Sequence, residues 1–203
     1  MKKYAVLHEP GDIVTLAGTR FVVLDVERRG SLPDSLFLLA LEPVGTSEFG
    51  SSNNYAESDL KKAVDKWLED MDKRGLDNAK LIPREIDLTT LDGSGCYGKL
   101  SVKAAPLTLD EAREYADIIP NAERWCWLAT GWSGPSKSDG DLALYVGSNG
   151  VWGGNICSYS CGIRPALKAP SILFEDSEAG LDLSKIPTDD LLQEIHRRLA
   201  EKA

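Results

Sequence analysis

The sequence is poor in the residues that carry most enzyme chemistry. Its 203 residues include only two histidines, His8 and His196, which lie near opposite ends of the chain. It contains no Gly-x-Ser-x-Gly motif, no phosphate-binding loop and no His-Glu-x-x-His motif. Because a hydroxyl or thiol nucleophile is usually activated by a neighbouring imidazole, Ser–His and Cys–His catalysis are not expected. We therefore predict a protein that binds a ligand and is not an enzyme.

Long apolar runs and clusters of basic residues are also missing. No run of about 18 apolar residues is present, so no membrane-spanning helix is predicted. The 32 acidic and 23 basic side chains give a formal net charge of −9. An acidic chain gains nothing by releasing counterions from phosphate, so neither nucleic acid nor an anionic membrane is expected as a partner.

The beginning of the sequence does not have the pattern of a secretory signal. Two lysines follow Met1, but Glu9, Gly11 and Asp12 interrupt any apolar segment. We expect a cytoplasmic or virion-associated protein. In such a compartment thiols normally stay reduced, so free cysteines are expected, with disulfides as the alternative. The cysteines are Cys96, Cys126, Cys157 and Cys161.

The first third of the chain predicts strands followed by a helix. Residues 12–16, 20–26 and 35–41 are rich in β-branched or apolar side chains and are separated by turn residues, which indicates an antiparallel meander. Apolar residues at helical spacing then predict a helix that begins at an N-cap, Ser58, and ends at Gly75.

A second helix and a strand-rich segment follow. Thr108 and Glu111 have the spacing of a capping box, and Pro120 is expected to end this helix. Strands are predicted at 125–129, 141–146 and 161–168. Strand alternation places Trp125 and Trp127 on one face, and the usual burial of Trp predicts that both belong to the core.

The order of these segments resembles a domain family of bacteria and their prophages. The similar elements are the helix from Ser58 to Leu68, the Trp-rich strand 125–130 and the ending Gly162-Ile163-Arg164-Pro165-Ala166-Leu167. That family in turn is similar to C-type lectin-like domains. It resembles the version of that fold shared by formylglycine-generating enzymes and the variable proteins of diversity-generating retroelements.

The resemblance implies an α+β, C-type lectin-like domain over residues 1–168. It would have an antiparallel sheet, two helices and a long irregular loop region. The residues of 169–203 separately predict an acidic linker and an amphipathic helix. In the variable proteins, the segment before the terminal motif displays the ligand-binding surface. The resemblance therefore implies that residues 130–160 recognise a protein or glycan ligand, as in the variable protein of a phage or prophage.

The composition of this segment also favours recognition. Tyr and Trp offer rigid contact area, and Ser, Gly and Asn offer adaptable hydrogen bonds. The alternative is a structured loop whose aromatic side chains pin it to the core. The candidate ligand-binding residues are Trp132, Lys137, Asp139, Asp141, Tyr145, Asn149, Trp152, Asn155 and Tyr159.

Three other features of the sequence bear on its chemistry. Formylglycine-generating enzymes bind copper through a cysteine pair, so Cys157 and Cys161 give an oxidase as the alternative function. Asp139 and Asp141 could supply oxygen ligands, but two carboxylates in a polar loop are usually solubilising, and we expect no calcium, other metal or cofactor. Arg164 is expected to be structural, paired with buried acceptors.

The end of the chain predicts an amphipathic helix. Thr188 is its expected N-cap, and an apolar stripe is formed by Leu191, Leu192, Ile195 and Leu199. The helix packs on the domain or, alternatively, docks on a partner or a second copy. The second possibility gives a cytosolic adaptor as a further alternative function.

Overall fold

The computed structural model describes residues 8–30 and 32–174, with the isolated positions 188 and 192. Over these residues the chain is α+β. Its two five-stranded sheets and one two-stranded sheet are antiparallel except for one strand pair. The strands are β1 (Ile13–Leu16), β2 (Thr19–Arg29), β3 (Leu32–Ala40), β4 (Gly45–Glu48), β5 (Arg84–Asp87), β6 (Lys99–Val102), β7 (Ala104–Ala105), β8 (Cys126–Gly131), β9 (Leu142–Val146), β10 (Trp152–Ile156), β11 (Ser160–Ile163) and β12 (Ala166–Pro170). The helices are α1 (Asp59–Lys73) and α2 (Leu109–Glu114).

The predicted meander is confirmed and forms most of the first sheet, whose order is β1-β2-β3-β12-β7. Leu16 pairs with Thr19, so the β1–β2 hairpin has a two-residue loop. Both loop residues have positive φ, +45° at Ala17 and +76° at Gly18. This backbone geometry matches the right-handed twist of the flanking strands, and glycine at the second position reaches it without strain.

Both predicted helix starts are confirmed. The Ser58 hydroxyl accepts a hydrogen bond from Lys61 N at 2.9 Å, and Thr108 and Glu111 form the expected capping box. The second helix ends at Glu114, earlier than Pro120. The chain then winds into a tighter turn in which Ile118 N donates to Tyr115 O at 2.9 Å. An i to i+3 bond of this kind replaces the α-helical pattern at a helix end.

The predicted strand 161–168 is divided between two sheets. Residues 160–163 form β11 in the second sheet, whose order is β10-β9-β8-β11-β4, and β12 lies in the first sheet. The break falls at Arg164 and Pro165. Because Pro165 has no N–H to give to a ladder, the chain leaves one sheet there and enters the other. This crossing ties the two sheets together.

The core lies between the sheets and the helices. One apolar cluster includes Leu60, Val64 and Met71 of α1, and another includes Leu109 and Ala112 of α2. None of the described helices has the length and apolar character needed to cross a lipid bilayer. The predicted C-terminal helix lies outside the described residues except at two isolated positions, so it stays a prediction.

Candidate functional site

Much of the segment 130–160 is a β-hairpin, not an irregular loop. Strands β9 and β10 pair antiparallel, and the predicted turn around Asn149 is closed by a hydrogen bond from Gly147 N to Val151 O at 2.8 Å. Sequence reasoning missed β10 because its two adjacent glycines, Gly153 and Gly154, are typical of loops. The irregular part is the connection between β8 and β9.

The two strands divide the predicted binding residues between opposite faces of the sheet. Tyr145 lies opposite Gly153, whereas Trp152 lies opposite Val146, and neighbouring residues in a strand point to opposite faces. Trp132 belongs to the Trp152 face, since a Cβ added to Gly154 would lie 2.4 Å from the Trp132 ring. The predicted aromatic residues therefore do not form one continuous surface.

The polar members of the predicted set have mainly local roles. Lys137 Nζ lies 2.5 Å from Asp92 Oδ2, and this hydrogen bond and the one from Thr90 lower the pKa of Asp92 to about 2. Asn149 and Asn155 accept hydrogen bonds from the next residues of the hairpin, at Val151 N and Ile156 N. The remaining polar members are exposed and lie in the connection between β8 and β9: Asp139 and Asp141.

The expected burial of Trp125 is wrong. Trp127 is 1% exposed and packs edge-on against Phe49 at 5.6 Å, as expected for a core residue, but Trp125 is 44% exposed. Strand β8 begins at Cys126, so Trp125 precedes the strand and lies at the end of the sheet, on the same side as Trp127 but outside the buried part of the strand. The indole instead stacks on the Tyr145 ring, with 4.7 Å between centroids and 5° between planes.

Trp125 lines a surface depression that we call the aromatic cleft. Tyr159 lies beside it, 48% exposed, with 6.5 Å between the ring centroids. The cleft has a volume of about 300 Å³. Its lining mixes aromatic rings with charged and hydroxyl groups: Thr46, Glu123, Arg124, Trp125, Ser148, Tyr159, Ser160, Cys161 and Gly162. Of the nine residues predicted from sequence, Tyr159 lines the cleft and Tyr145 supports it.

A second, mostly apolar cavity of about 120 Å³ lies on the opposite face, between α2 and the second sheet. Trp152 lines it, and the Arg113 guanidinium lies 5.4 Å from the Trp152 ring. This contact connects α2 to β10 and accounts for part of the packing of Trp152. Leu107, Ala112, Leu128 and Val146 are among the apolar residues around this cavity.

Arg164 has the structural role predicted for it. Its guanidinium donates to three carbonyl oxygens, those of Ala40 at 2.8 Å, Leu41 at 3.0 Å and Pro120 at 3.0 Å. The side chain therefore connects the end of β3 to the segment that leads into Trp125. The carbonyls that it binds have no sequence signature, so the role could be predicted but its partners could not.

All four cysteines are free, as expected. Cys126, Cys157 and Cys161 are buried, and burial raises the pKa of these thiols to about 11, 12 and 12. Cys126 adds a smaller contribution to the raised pKa of Cys161, and the Asp141 carboxylate adds one to the raised pKa of Cys157. Within the described part of the chain, no group of three or more His, Cys, Asp or Glu side chains is arranged to hold a metal ion.

The thiols should therefore differ sharply in reactivity. Because the thiolate is the nucleophile, we expect Cys96, which is exposed, to be alkylated by iodoacetamide at pH 8 in the native protein. The three buried cysteines should react only after unfolding in guanidinium chloride. Mass spectrometry of tryptic peptides measures this. Rapid native modification of Cys157 or Cys161 would contradict the prediction.

Sequence reasoning missed Asn53, which organises the connection between β8 and β9. Asn53 is 1% exposed, and its amide donates to Ser133 O at 2.8 Å and Leu142 O at 3.0 Å. Its carbonyl oxygen accepts from the Tyr97 hydroxyl at 2.6 Å. Asn53 stands in a polar stretch typical of an exposed loop, so nothing in the local sequence indicates that it is buried.

Comparison of the chain with protein-family models, with curated proteins and with solved structures finds no significant match.

Proposed function

We propose that the protein is a non-catalytic recognition protein and that its ligand binds in the aromatic cleft. The observation that carries the proposal is the exposure of Trp125 in a fixed orientation. Single exposed apolar side chains are common on protein surfaces, whereas a contiguous exposed patch marks an interaction site. The Trp125 indole is stacked on Tyr145 and lies beside a second exposed ring, Tyr159, so it belongs to such a patch. A rigid aromatic anchor loses little conformational entropy when a ligand packs on it.

The lining of the cleft defines the kind of ligand that fits. The rings offer flat apolar contact area, and Glu123, Arg124, Ser148 and Ser160 place both charge signs and hydroxyl groups around them. This combination is typical of recognition surfaces that bind a partly apolar, hydrogen-bonding partner. A protein epitope and a glycan both have that character, and the proposal covers both.

The oxidase alternative has less support. A copper site would use thiolates, but Cys157 and Cys161 are buried and their pKa values are raised to about 12. The adaptor alternative depends on the C-terminal helix, which lies outside the described residues. The aromatic cleft is therefore the feature that best supports a function.

We also propose that the α+β arrangement is C-type lectin-like. The mostly antiparallel sheets, the two helices and a hairpin placed shortly before the Arg164–Pro165 crossing agree with that fold. In this proposal the aromatic cleft takes the place that the resemblance assigned to residues 130–160. Membership among the variable proteins of diversity-generating retroelements in phages or prophages stays a prediction.

The proposal is tested by ligand binding to the purified chain and to Trp125→Ala and Tyr159→Ala variants. Glycan and protein arrays identify a ligand, and titration calorimetry gives its Kd. We expect each variant to weaken binding about thirtyfold, the effect of losing a hot-spot residue worth about 2 kcal/mol. Ile172→Ala, at a position 61% exposed in another part of the chain, is the control. Unchanged Kd values in both cleft variants would refute the assignment of the site.

A further inference from the structure

Strand β10 forms one edge of the second sheet and is an unusual edge strand. It has five residues and pairs with β9 on one side, and no other described strand pairs with it on the other side. Proteins normally protect such edges with charges, proline or very short strands. The sequence Trp-Gly-Gly-Asn-Ile has none of these features, and Trp152 and Ile156 are 37% and 48% exposed.

The backbone of β10 presents hydrogen-bonding groups along this edge. Val151 O and Cys157 N bind β9, at Gly147 N and Asp141 O, both at 2.8 Å. Alternate residues of an antiparallel strand direct their N–H and C=O groups to opposite sides. Val151 and Cys157 face β9, so Gly153 and Asn155 between them face β9 as well. The residues whose groups point away from β9 are Trp152, Gly154 and Ile156. Of these groups, the Ile156 N–H already donates to Asn155 Oδ1 at 2.9 Å, so the pairing uses the Ile156 carbonyl and leaves that bond in place.

The other edges of the two large sheets differ from this one. Strands β1 and β4 have four residues each and β7 has two, so each is shorter than β10. Strand β4 also carries Glu48. No charged residue occurs from position 142 to position 163, although the whole chain has a net charge of −9. A neutral edge on an acidic protein is the place where a second acidic copy can approach with least repulsion.

We infer that β10 pairs antiparallel with β10 of a second copy, about a two-fold axis at Gly154. This register is self-complementary, as a two-fold interface requires. Gly154 N–H then meets Gly154 O of the second copy, and Trp152 N–H meets Ile156 O. Ile156 O already accepts from Tyr159 N, but a carbonyl oxygen accepts two hydrogen bonds. The Trp152 ring lies next to the Ile156 side chain of the second copy on the same face.

The pairing joins two five-stranded sheets into one and fixes the relation between the two aromatic clefts. A two-fold axis perpendicular to the sheet keeps equivalent faces on the same side. The clefts belong to the Tyr145 face, opposite the Trp152 face, so both would open to the same side of the dimer. Two sites in this arrangement can bind a surface-bound or repeated ligand bivalently.

Sedimentation velocity across the micromolar to millimolar range tests the inference. We expect a reversible monomer–dimer equilibrium. Ile156→Lys should raise the dimer dissociation constant at least about tenfold, because the two-fold symmetry places two lysines on the edge where the strands pair. Ile13→Lys is the matched control: Ile13 is 50% exposed on β1, the edge strand of the other sheet. A monomer at every concentration, or a dimer that both variants weaken equally, would overturn the inference.

Amide hydrogen exchange of the unmodified chain gives an independent measurement that does not need a variant to fold. The amides of Trp152 and Gly154 should become protected as the protein concentration rises, whereas the exposed amide of Asn149 should not. A dimer that leaves Trp152 and Gly154 unprotected would place the interface elsewhere. Protection that does not depend on concentration would show that another part of the same chain covers the edge. Both outcomes contradict the inference, and neither bears on ligand binding in the aromatic cleft.

Discussion

Replacement of Arg164 by alanine is expected to lower the free energy of unfolding by about 4 kcal/mol, the scale that applies when one partner of a buried charged network is removed. Arg164 is 6% exposed, and burial lowers the pKa of its guanidinium. Its loss would leave the carbonyls of Ala40, Leu41 and Pro120 without these hydrogen bonds in a largely water-excluded site. Urea denaturation followed by tryptophan fluorescence measures the change.

Arg164→Lys provides the matched comparison. It retains the positive charge but replaces a planar group that reaches three carbonyls with a compact ammonium. We expect about half the loss seen with alanine, roughly 2 kcal/mol. A loss below about 1 kcal/mol for the alanine variant would show that water or local rearrangement satisfies the three carbonyls, and that Arg164 does not hold the sheet crossing together.

Replacement of Asn53 by alanine is expected to cost about 3 kcal/mol of unfolding free energy, since two carbonyl acceptors and one hydroxyl donor lose their partner. Asn53 also packs on Gly131, where an added Cβ would lie 2.9 Å from the Asn53 side chain. The substitution therefore also opens a gap beside β8. Differential scanning calorimetry of the variant gives the change in stability.

One substitution removes a single hydrogen bond of the Asn53 network, and a second, at the neighbouring Asn54, is the control. Tyr97→Phe removes the 2.6 Å bond to Asn53 and should cost about 1 kcal/mol. Asn54→Ala removes the cap of the short 3₁₀ helix that follows, where the side chain accepts from Ala56 N, and should cost no more than about 1 kcal/mol. If Asn53→Ala is as mild as Asn54→Ala, the buried network does not organise the connection between β8 and β9.

Local patterns predicted the elements whose determinants are neighbours in the chain. The caps at Ser58 and Thr108 were correct because a cap depends on a side chain and a backbone N–H three residues away. The meander was correct because apolar runs and turn residues alternate within about 30 residues. Strand β10 was missed because its glycines leave room for the Trp132 and Tyr145 rings to pack closely. Tyr145 lies in β9 and Trp132 in the connection that follows β8, both distant in the chain from β10.

Composition and short-range spacing were enough to predict the meander and the helix starts at Ser58 and Thr108, because neighbouring residues control these features. Free thiols were expected from the lack of a secretory pattern, and the structural role of Arg164 was expected from its place in the terminal motif. Tertiary structure decided the candidate site. It placed Trp125 outside the strand and against Tyr145, brought Tyr159 beside it, and moved Trp132 and Trp152 to the opposite face. These relations depend on where a strand begins and on which strands pair across the sheet. Both are fixed by packing between residues that are distant in the chain.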